Sequence, residues 1–256
     1  ASPDNMAVTT QFISIAASIE NELLERFRSG EGLCYHHFDR FHEVMAEDSA
    51  QLVVANLVSA ILPVVPGLIQ RLEDGIDVAD FGCGRGLAMM ALASTYPNSR
   101  FHGFDLCEDA FAETAAEART KGLENLRFEA RDLSAANELG RFDLVTAFDA
   151  VHDQADPKAF LCLVRQSLRS GGVFLMQDIG GSAHLEKNHD FPFAAFLYTA
   201  SCSHCMAVSL GHGGDGLGTM WGWETAEGFL KDAGYKSVER HSFEEDPMNV
   251  WFISKA

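Results

Sequence analysis

The feature that most constrains the fold is a repeated alternation, from residue 77 onward, of short apolar runs with helix-length segments. Each run contains at least one β-branched or aromatic residue, the types favoured in strands. Strand–helix–strand units of this length require a parallel sheet with helices on both faces. The predicted strands are 77–80, 100–105, 126–130, 142–147 and 172–176, and the predicted helices lie near 86–96, 108–122 and 157–169.

Two more strand-like runs close the pattern after a helix predicted near 224–234. They span 237–243 and 249–254, and only a short acidic connection separates them. A short connection favours an antiparallel hairpin at the edge of the sheet. The expected fold is therefore α/β, a Rossmann-like, doubly wound, seven-stranded, mostly parallel sheet with an antiparallel edge strand.

Two stretches fall outside this alternation. Residues 1–73 carry apolar positions at helical spacing over 8–28 and 41–72, which predicts an N-terminal helical extension or lid. Residues 179–222 are rich in Gly, Ser and His and show no clear period. We predict that they form a substrate-cap insertion within a ligand-binding domain spanning 74–256.

Composition limits the partners. The formal net charge is −18 with no basic cluster, so a nucleic-acid substrate is not expected. Six cysteines in 256 residues do not make a disulfide scaffold, and a reduced cytoplasmic setting is expected. We find no apolar run of 18 residues and expect no membrane partner. The apolar leading helices would suit a homodimer interface or intramolecular packing equally well.

A glycine-rich turn follows the first predicted strand, with Asp80 ahead of Gly82, Cys83, Gly84 and Gly86. Such glycines let a ligand approach the backbone, and parallel sheets bind ligands at the carboxyl ends of their strands. The G-x-G-x-G spacing differs from the usual dinucleotide fingerprint. The carboxylate of Asp80 would repel a pyrophosphate and attract an amino group, such as that of a methionine moiety.

Acidic residues also follow the second and third strands. Asp105, before Leu106, lies about 20 residues past the turn, where a carboxylate can accept both ribose hydroxyls. Asp132, before Leu133, could accept a hydrogen bond from an adenine amino group, with the leucine against the ring. Each aspartate could instead be a helix N-cap.

The loop after the fourth strand begins at Phe148 and Asp149 and would reach the same edge of the sheet. His152 in this loop is the strongest candidate for a general base, because histidine titrates near neutrality. The alternative is that His152 only orients the loop or packs on a bound ligand.

Candidates for contact with a substrate lie in the flanking stretches. Tyr35, His36 and His37 could close over the site or form a packing joint between helices. Phe196 and Trp221 could line an apolar pocket or belong to the core. The run 202–205 holds two cysteines and a histidine but has no second pair, so we predict no metal.

Taken in order, the motifs at 80–86, 105–106, 132–133 and 148–149 resemble those of the class I S-adenosylmethionine-dependent methyltransferases. The resemblance implies that Asp80 and the glycines hold the methionine end of S-adenosylmethionine. It also implies that Asp105 holds the ribose and Asp132 the adenine.

A narrower similarity, over 41–50, 213–222 and 246–249, is to a bacterial-type subfamily. Its members often carry an N-terminal winged-helix domain, which is absent from this sequence. The expected function is methyl transfer to a small-molecule acceptor. The alternatives are a non-catalytic S-adenosylmethionine sensor or regulatory domain, and an NAD-type oxidoreductase.

Overall fold

The computed structural model describes residues 5–136, 138–244 and 246–256. Within these residues seven strands form one sheet in the order β3-β2-β1-β4-β5-β7-β6. Residues 1–4 of the predicted lead-in and Glu245 of the predicted hairpin lie outside the described ranges. The strands are β1 Asp77–Phe81, β2 Arg100–Asp105, β3 Leu126–Ala130, β4 Phe142–Phe148, β5 Leu168–Ile179, β6 Ser237–Phe243 and β7 Asp246–Lys255.

The predicted mostly parallel sheet is confirmed. Strands β1 to β5 pair in parallel, and β7 runs antiparallel to both β5 and β6. The hairpin of β6 and β7 forms one end of the sheet, with β7 one position inside the edge. The chain order reverses between β1 and β4, which is where open parallel sheets bind ligands.

Both faces of the sheet are covered by helices. The helices are α1 Met6–Ser18, α2 Glu20–Ser29, α3 Phe41–Leu52, α4 Leu68–Asp74, α5 Leu87–Thr95, α6 Glu108–Thr120, α7 Pro157–Ser167, α8 Ala194–Ala200, α9 Met206–Gly211 and α10 Trp223–Asp232. Alternate residues of β1 enter different cores: Phe81 packs with α7 and α10, and Val78 packs with α5 and 57–72. This period of two is the one expected of a doubly covered strand.

The N-terminal helices are more broken than the sequence predicts. The first stretch divides at Ile19 and ends at Gly30, whose φ of 77° lies in the left-handed region. The second passes from α3 through a π-helical turn at Leu57–Ile61 to α4. By length and composition the run Phe41–Val64 could span a membrane, with a mean hydropathy of 1.2. Its buried side chains, including Val53, Leu57 and Ile61, belong to the sheet core.

The segment without a clear period contains a helix that we did not predict. Residues 194–211 run through α8, a π-helical turn at Ser201–Cys205 and α9. The Leu33 amide donates to the Ala207 carbonyl, and a Cβ on Gly211 would lie 2.3 Å from the Leu33 oxygen. Only glycine allows so close a crossing. We call α1, α3 and 194–211 together the roof.

Candidate active site

A cavity of about 520 Å³ lies between the roof and the carboxyl ends of the strands. We call its lower surface the floor, which consists of the ends of β1, β2 and β4 and the loops that follow β1 to β4. Its volume lies within the range of small-molecule sites. The structure brings Asp80, Asp105, Asp132 and Asp149 to this cavity from four separate strands.

The glycine-rich turn is fastened to the end of β2. The amides of Gly82 and Cys83 both donate to the Phe104 carbonyl, at 2.8 and 2.9 Å. The amide of Gly84 donates to Oδ2 of Asp105 at 2.7 Å. The φ of Gly84 is 53°, and a Cβ there would meet no atom within 4 Å, so the turn presents bare backbone to open space.

Asp105 holds the turn while facing the cavity. Its Oδ1 accepts from the Cys107 amide at 2.9 Å, and its Oδ2 accepts from Gly84. Each carboxylate oxygen has a second lone-pair direction for a ligand hydroxyl. Leu106, beside it, is half exposed at the cavity wall.

Asp80 is buried where β1 enters the turn. Its Oδ1 accepts a 2.7 Å hydrogen bond from the Thr146 hydroxyl on the neighbouring strand. Burial raises the pKa of Asp80 from 3.8 to about 7, against the lowering effect of the Thr146 hydrogen bond. A cationic group in the cavity would return this carboxyl to its charged form.

The remaining predicted floor residues also line the cavity. Asp132 accepts from the Ser134 amide and hydroxyl, which lowers its pKa, and Leu133 is buried. Asp149 follows Phe148 and has a φ of 53°, an uncommon conformation for a residue other than glycine. Its Oδ1 is buried and finds no hydrogen-bond partner in the described structure.

His152 is buried among carboxylates. Its Nδ1 lies 2.9 Å from Oδ1 of Asp178, which also accepts from the Trp221 indole at 3.0 Å. Its Nε2 makes an ion-pair contact of 3.2 Å with Oδ1 of Asp153. Burial alone would lower the pKa of His152, but the charges of Asp178 and Asp153 raise it well above its usual range.

The predicted lid residues separate into two groups. Tyr35 and Phe196 line the cavity, and the Tyr35 hydroxyl donates to Oδ2 of Asp153 at 3.3 Å. His36 is exposed outside the cavity, and His37 contacts Cys34 at 3.1 Å instead. Trp221 lies in the sheet core, where its indole donates a hydrogen bond to Asp178.

Several cavity residues have no counterpart in the sequence analysis. Except for Asp153, which lies in the loop after β4, they come from helical segments whose contact with the floor only the tertiary structure reveals. His204 occurs in the sequence as part of an incomplete metal motif, but its side chain faces the cavity. The unpredicted lining residues include Phe12, Phe41, His42, Asp48, Asp153 and His204.

The cavity is lined by more acidic than basic side chains. Six aspartates line it, against two arginines. Arg85 pairs with Glu113 at 2.7 Å and Arg131 with Glu129 at 3.6 Å, so both positive charges are already partnered. An anionic pyrophosphate would be repelled here, and a cationic ligand would be stabilised.

This fold and this site define the class: a class I methyltransferase domain with S-adenosylmethionine as its cofactor. The model of a family described as a methyltransferase domain matches residues 72–234. The chain belongs to that family.

The relatives agree with this assignment. A ubiquinone biosynthesis O-methyltransferase of Leptothrix cholodnii is 30% identical over 105 residues, which cover 40% of this chain and 44% of that protein. The match thus spans less than half of the relative's length.

Solved structures show the same fold across the chain. An O-methyltransferase family protein of Burkholderia thailandensis superposes with a TM-score of 0.69 at 16% identity, covering 94% of this chain and 70% of that one. Human N-acetylserotonin methyltransferase, in complex with SAM, gives 0.66 at 14% identity and covers 100% and 71%. At such identities the likeness establishes the fold alone.

The site fits S-adenosylmethionine on its own chemistry. The open space at Gly84 admits a ligand against the backbone of the turn. The buried Asp80 carboxyl suits the methionine ammonium, and Asp105 offers oxygens for ribose hydroxyls. The sulfonium adds a second positive charge, which the six aspartates favour.

Proposed function

We propose that this chain transfers the methyl group of S-adenosylmethionine to a small-molecule acceptor. One observation carries the proposal: the cavity does not end at the glycine-rich turn but continues beneath the roof, where Phe12, Phe41 and Phe196 line it. A domain that only sensed the cofactor would need no such space. The continuous cavity supports an acceptor held beside the reactive methyl.

In the proposed reaction the floor binds and orients, and the cofactor supplies an electrophilic methyl carbon when bound. Asp80, Asp105 and the turn fix the donor, while the roof fixes the acceptor in line with it. Orientation of this kind can supply about 7–11 kcal/mol of barrier reduction. The roof also excludes water, which strengthens every charge interaction below it.

We assign His152 an orienting role rather than that of a general base. Both of its ring nitrogens face carboxylates, and its raised pKa keeps the ring protonated at neutral pH. A base must have a free lone pair within reach of the acceptor. A cationic His152 balances Asp153 and Asp178 and fixes the loop after β4.

Ribosomal RNA methyltransferases also occur among the relatives. The charge of −18 and the acidic cavity favour a small molecule over an RNA backbone. The six cysteines are free thiols in the described part of the chain, which supports a cytoplasmic setting. Exposed Ile13 and Phe27 support a homodimer through the N-terminal helices, which analytical ultracentrifugation would test.

The test is calorimetric titration of the purified chain with S-adenosylmethionine, S-adenosylhomocysteine and NAD. Turnover with methyl-labelled cofactor and a panel of small hydroxyl and amine acceptors would follow. We expect binding of both sulfur ligands, none of NAD, and label in at least one acceptor. Tight binding with no labelled acceptor would favour the sensor, and no binding to a folded sample would exclude both.

A further inference from the structure

Two buried histidines face the cavity in opposite situations. His152 is held on both sides by carboxylates. His204 is 8% exposed, and its Nε2 is buried without a hydrogen-bond partner in the part of the chain that the structure describes. Leaving such an atom unpaired costs free energy, so it points to a ligand that would satisfy it.

The ring of His204 is held rigidly by aromatic neighbours. It stacks on Phe41 with centroids 3.8 Å apart and planes 17° apart, and it meets Phe38 edge to face at 4.5 Å. Burial lowers its pKa to about 4, so the ring is neutral at physiological pH. It lies in the π-helical turn Ser201–Cys205, a kind of distortion often found at functional sites.

His204 lines the same cavity as the residues that we assign to the methyl donor. The charges that act on it include those of Asp153 and His152, which follow β4 on the floor. The loop after β4 borders the same cavity as the glycine-rich turn and Asp80. His204 on the roof thus lines the same cavity as the loop after β4, the glycine-rich turn and Asp80.

The residues around His204 restrict the chemical class of the acceptor. A hydroxyl can both donate and accept, so it satisfies either tautomer of a neutral imidazole. A carboxylate would be repelled by the six cavity aspartates. Phe12 and Phe196, edge to face at 6.2 Å, add flat apolar walls that suit an aromatic ring.

We propose that His204 is the acceptor-binding catalytic residue, and that the acceptor is an uncharged aromatic compound whose hydroxyl bonds to Nε2. This inference rests on the proposed methyl transfer. The hydroxyl oxygen forms a bond to the methyl carbon as the carbon–sulfur bond breaks, and that electron pair stays on sulfur. The hydroxyl proton passes to Nε2 and then to solvent. A weakly basic imidazole suffices, because the proton on a newly methylated oxygen is strongly acidic.

The experiment uses the chain saturated with S-adenosylhomocysteine and three probes of one shape: 1-naphthol, naphthalene and 1-naphthoate. Binding is followed by naphthyl fluorescence for the unaltered chain, His204→Phe and His204→Gln. Phenylalanine keeps the stack on Phe41 and removes the nitrogen, whereas glutamine returns a polar group. His189→Phe, at an exposed site outside the cavity, is the matched control.

We expect naphthol to bind the unaltered chain roughly 2- to 12-fold more tightly than naphthalene, which is the net contribution of one hydrogen bond. Naphthoate should bind most weakly. His204→Phe should abolish the difference, His204→Gln should restore part of it, and His189→Phe should leave it unchanged. S-adenosylhomocysteine affinity should be the same in all four proteins.

An undiminished preference for naphthol in His204→Phe would overturn the proposal, as would naphthalene or naphthoate binding as tightly as naphthol to the unaltered chain. Either result with S-adenosylhomocysteine still bound would leave the methyltransferase function standing. Failure of the unaltered chain to bind that ligand would instead defeat the function itself.

Discussion

The floor and the roof of the cavity are built on different principles. On the floor, the polar groups of the glycine-rich turn are tied to neighbouring strands: Gly84 to Asp105, and Asp80 to Thr146. The roof lines the cavity with a mixture of aromatic, aliphatic and polar side chains, and the Nε2 of His204 has no partner in the described structure. The glycine-rich turn thus holds its shape without a ligand, whereas Nε2 of His204 on the roof, like Oδ1 of Asp149 on the floor, is a buried polar atom that a ligand could satisfy.

This difference separates two kinds of recognition within one cavity. A preorganised surface suits an invariant ligand, because little conformational entropy is lost on binding. An apolar surface with one or two polar atoms suits an acceptor that a few contacts must distinguish. Changes to the floor should therefore affect cofactor binding, and changes to the roof should affect the acceptor.

The largest effect is expected from Asp105→Ala. This change removes the carboxylate that holds the turn and, in our assignment, contacts the ribose. Hydrogen bonds to a charged group contribute about 1.5–3 kcal/mol each, so S-adenosylhomocysteine affinity should fall roughly 10²- to 10⁴-fold by calorimetry. Asp109→Ala, an exposed residue of α6, should change it little. Comparable losses in both variants would contradict a specific role for Asp105.

The second prediction concerns the packing of the roof against Leu33. In Gly211→Ala the new Cβ would lie 2.3 Å from the Leu33 carbonyl oxygen, so backbone must move. Overpacking of this kind costs about 1–3 kcal/mol, measurable as a lower free energy of unfolding in urea. Cofactor affinity should persist while naphthol binding falls. Gly228→Ala is the control, because a Cβ there meets nothing within 4 Å in its helix.

The third prediction concerns the pH dependence of cofactor binding at Asp80 on the floor. The folded pKa of Asp80, about 7, exceeds its ordinary 3.8. This carboxyl therefore stabilises the fold fully below pH 3.8, and that contribution is lost as the pH rises through about 7. A cationic ligand needs the charged form, so S-adenosylmethionine affinity should rise up to about tenfold per pH unit towards pH 7 and then level off.

Two variants isolate Asp80 from Asp149, whose pKa burial also raises to about 7. Asp80→Asn should bind the cofactor more weakly and with a shallower pH dependence. Thr146→Val should move the midpoint to higher pH, because it removes the hydrogen bond that lowers the Asp80 pKa. An unchanged profile in both would mean that Asp80 does not meet the cation.

The smallest effect is expected from Phe41→Leu. Leucine keeps an apolar surface but loses the stack with His204. Aromatic pairs contribute about 0.5–1.5 kcal/mol beyond burial, so naphthol affinity should fall roughly 2- to 12-fold. Cofactor affinity should not change. A larger effect on S-adenosylhomocysteine than on naphthol would show that floor and roof are not separable as we describe.

The cofactor side of the floor could be predicted from the sequence, because the residues of each motif are neighbours in the chain. A strand, a glycine and an aspartate stand next to one another in the chain, so the sequence alone placed Asp80 and Asp105 at the site. The alternation of strands also predicted the sheet and its hairpin. These signals need no knowledge of which distant segments meet.

The roof could not be predicted, because the residues that meet in it are far apart in the sequence. His204 and Phe41 are far apart in sequence, and their stack exists only because helices 41–52 and 194–211 cross. The π-helical turn at Ser201–Cys205 interrupts the helical period of 194–211. His36 and His37, beside Tyr35, could not be separated from it by pattern alone, because only the backbone turn at 35–37 decides which ring faces inward.

The place of β7 has a consequence for biosynthesis. It is the last of the seven strands to leave the ribosome, yet it lies between β5 and β6 and buries Trp251 and Phe252. Until residue 255 has emerged, β5 presents an unpaired edge to solvent or to a chaperone. Completion of the sheet must therefore wait for the last strand, and nascent chains stalled before β7 should be the most prone to aggregate.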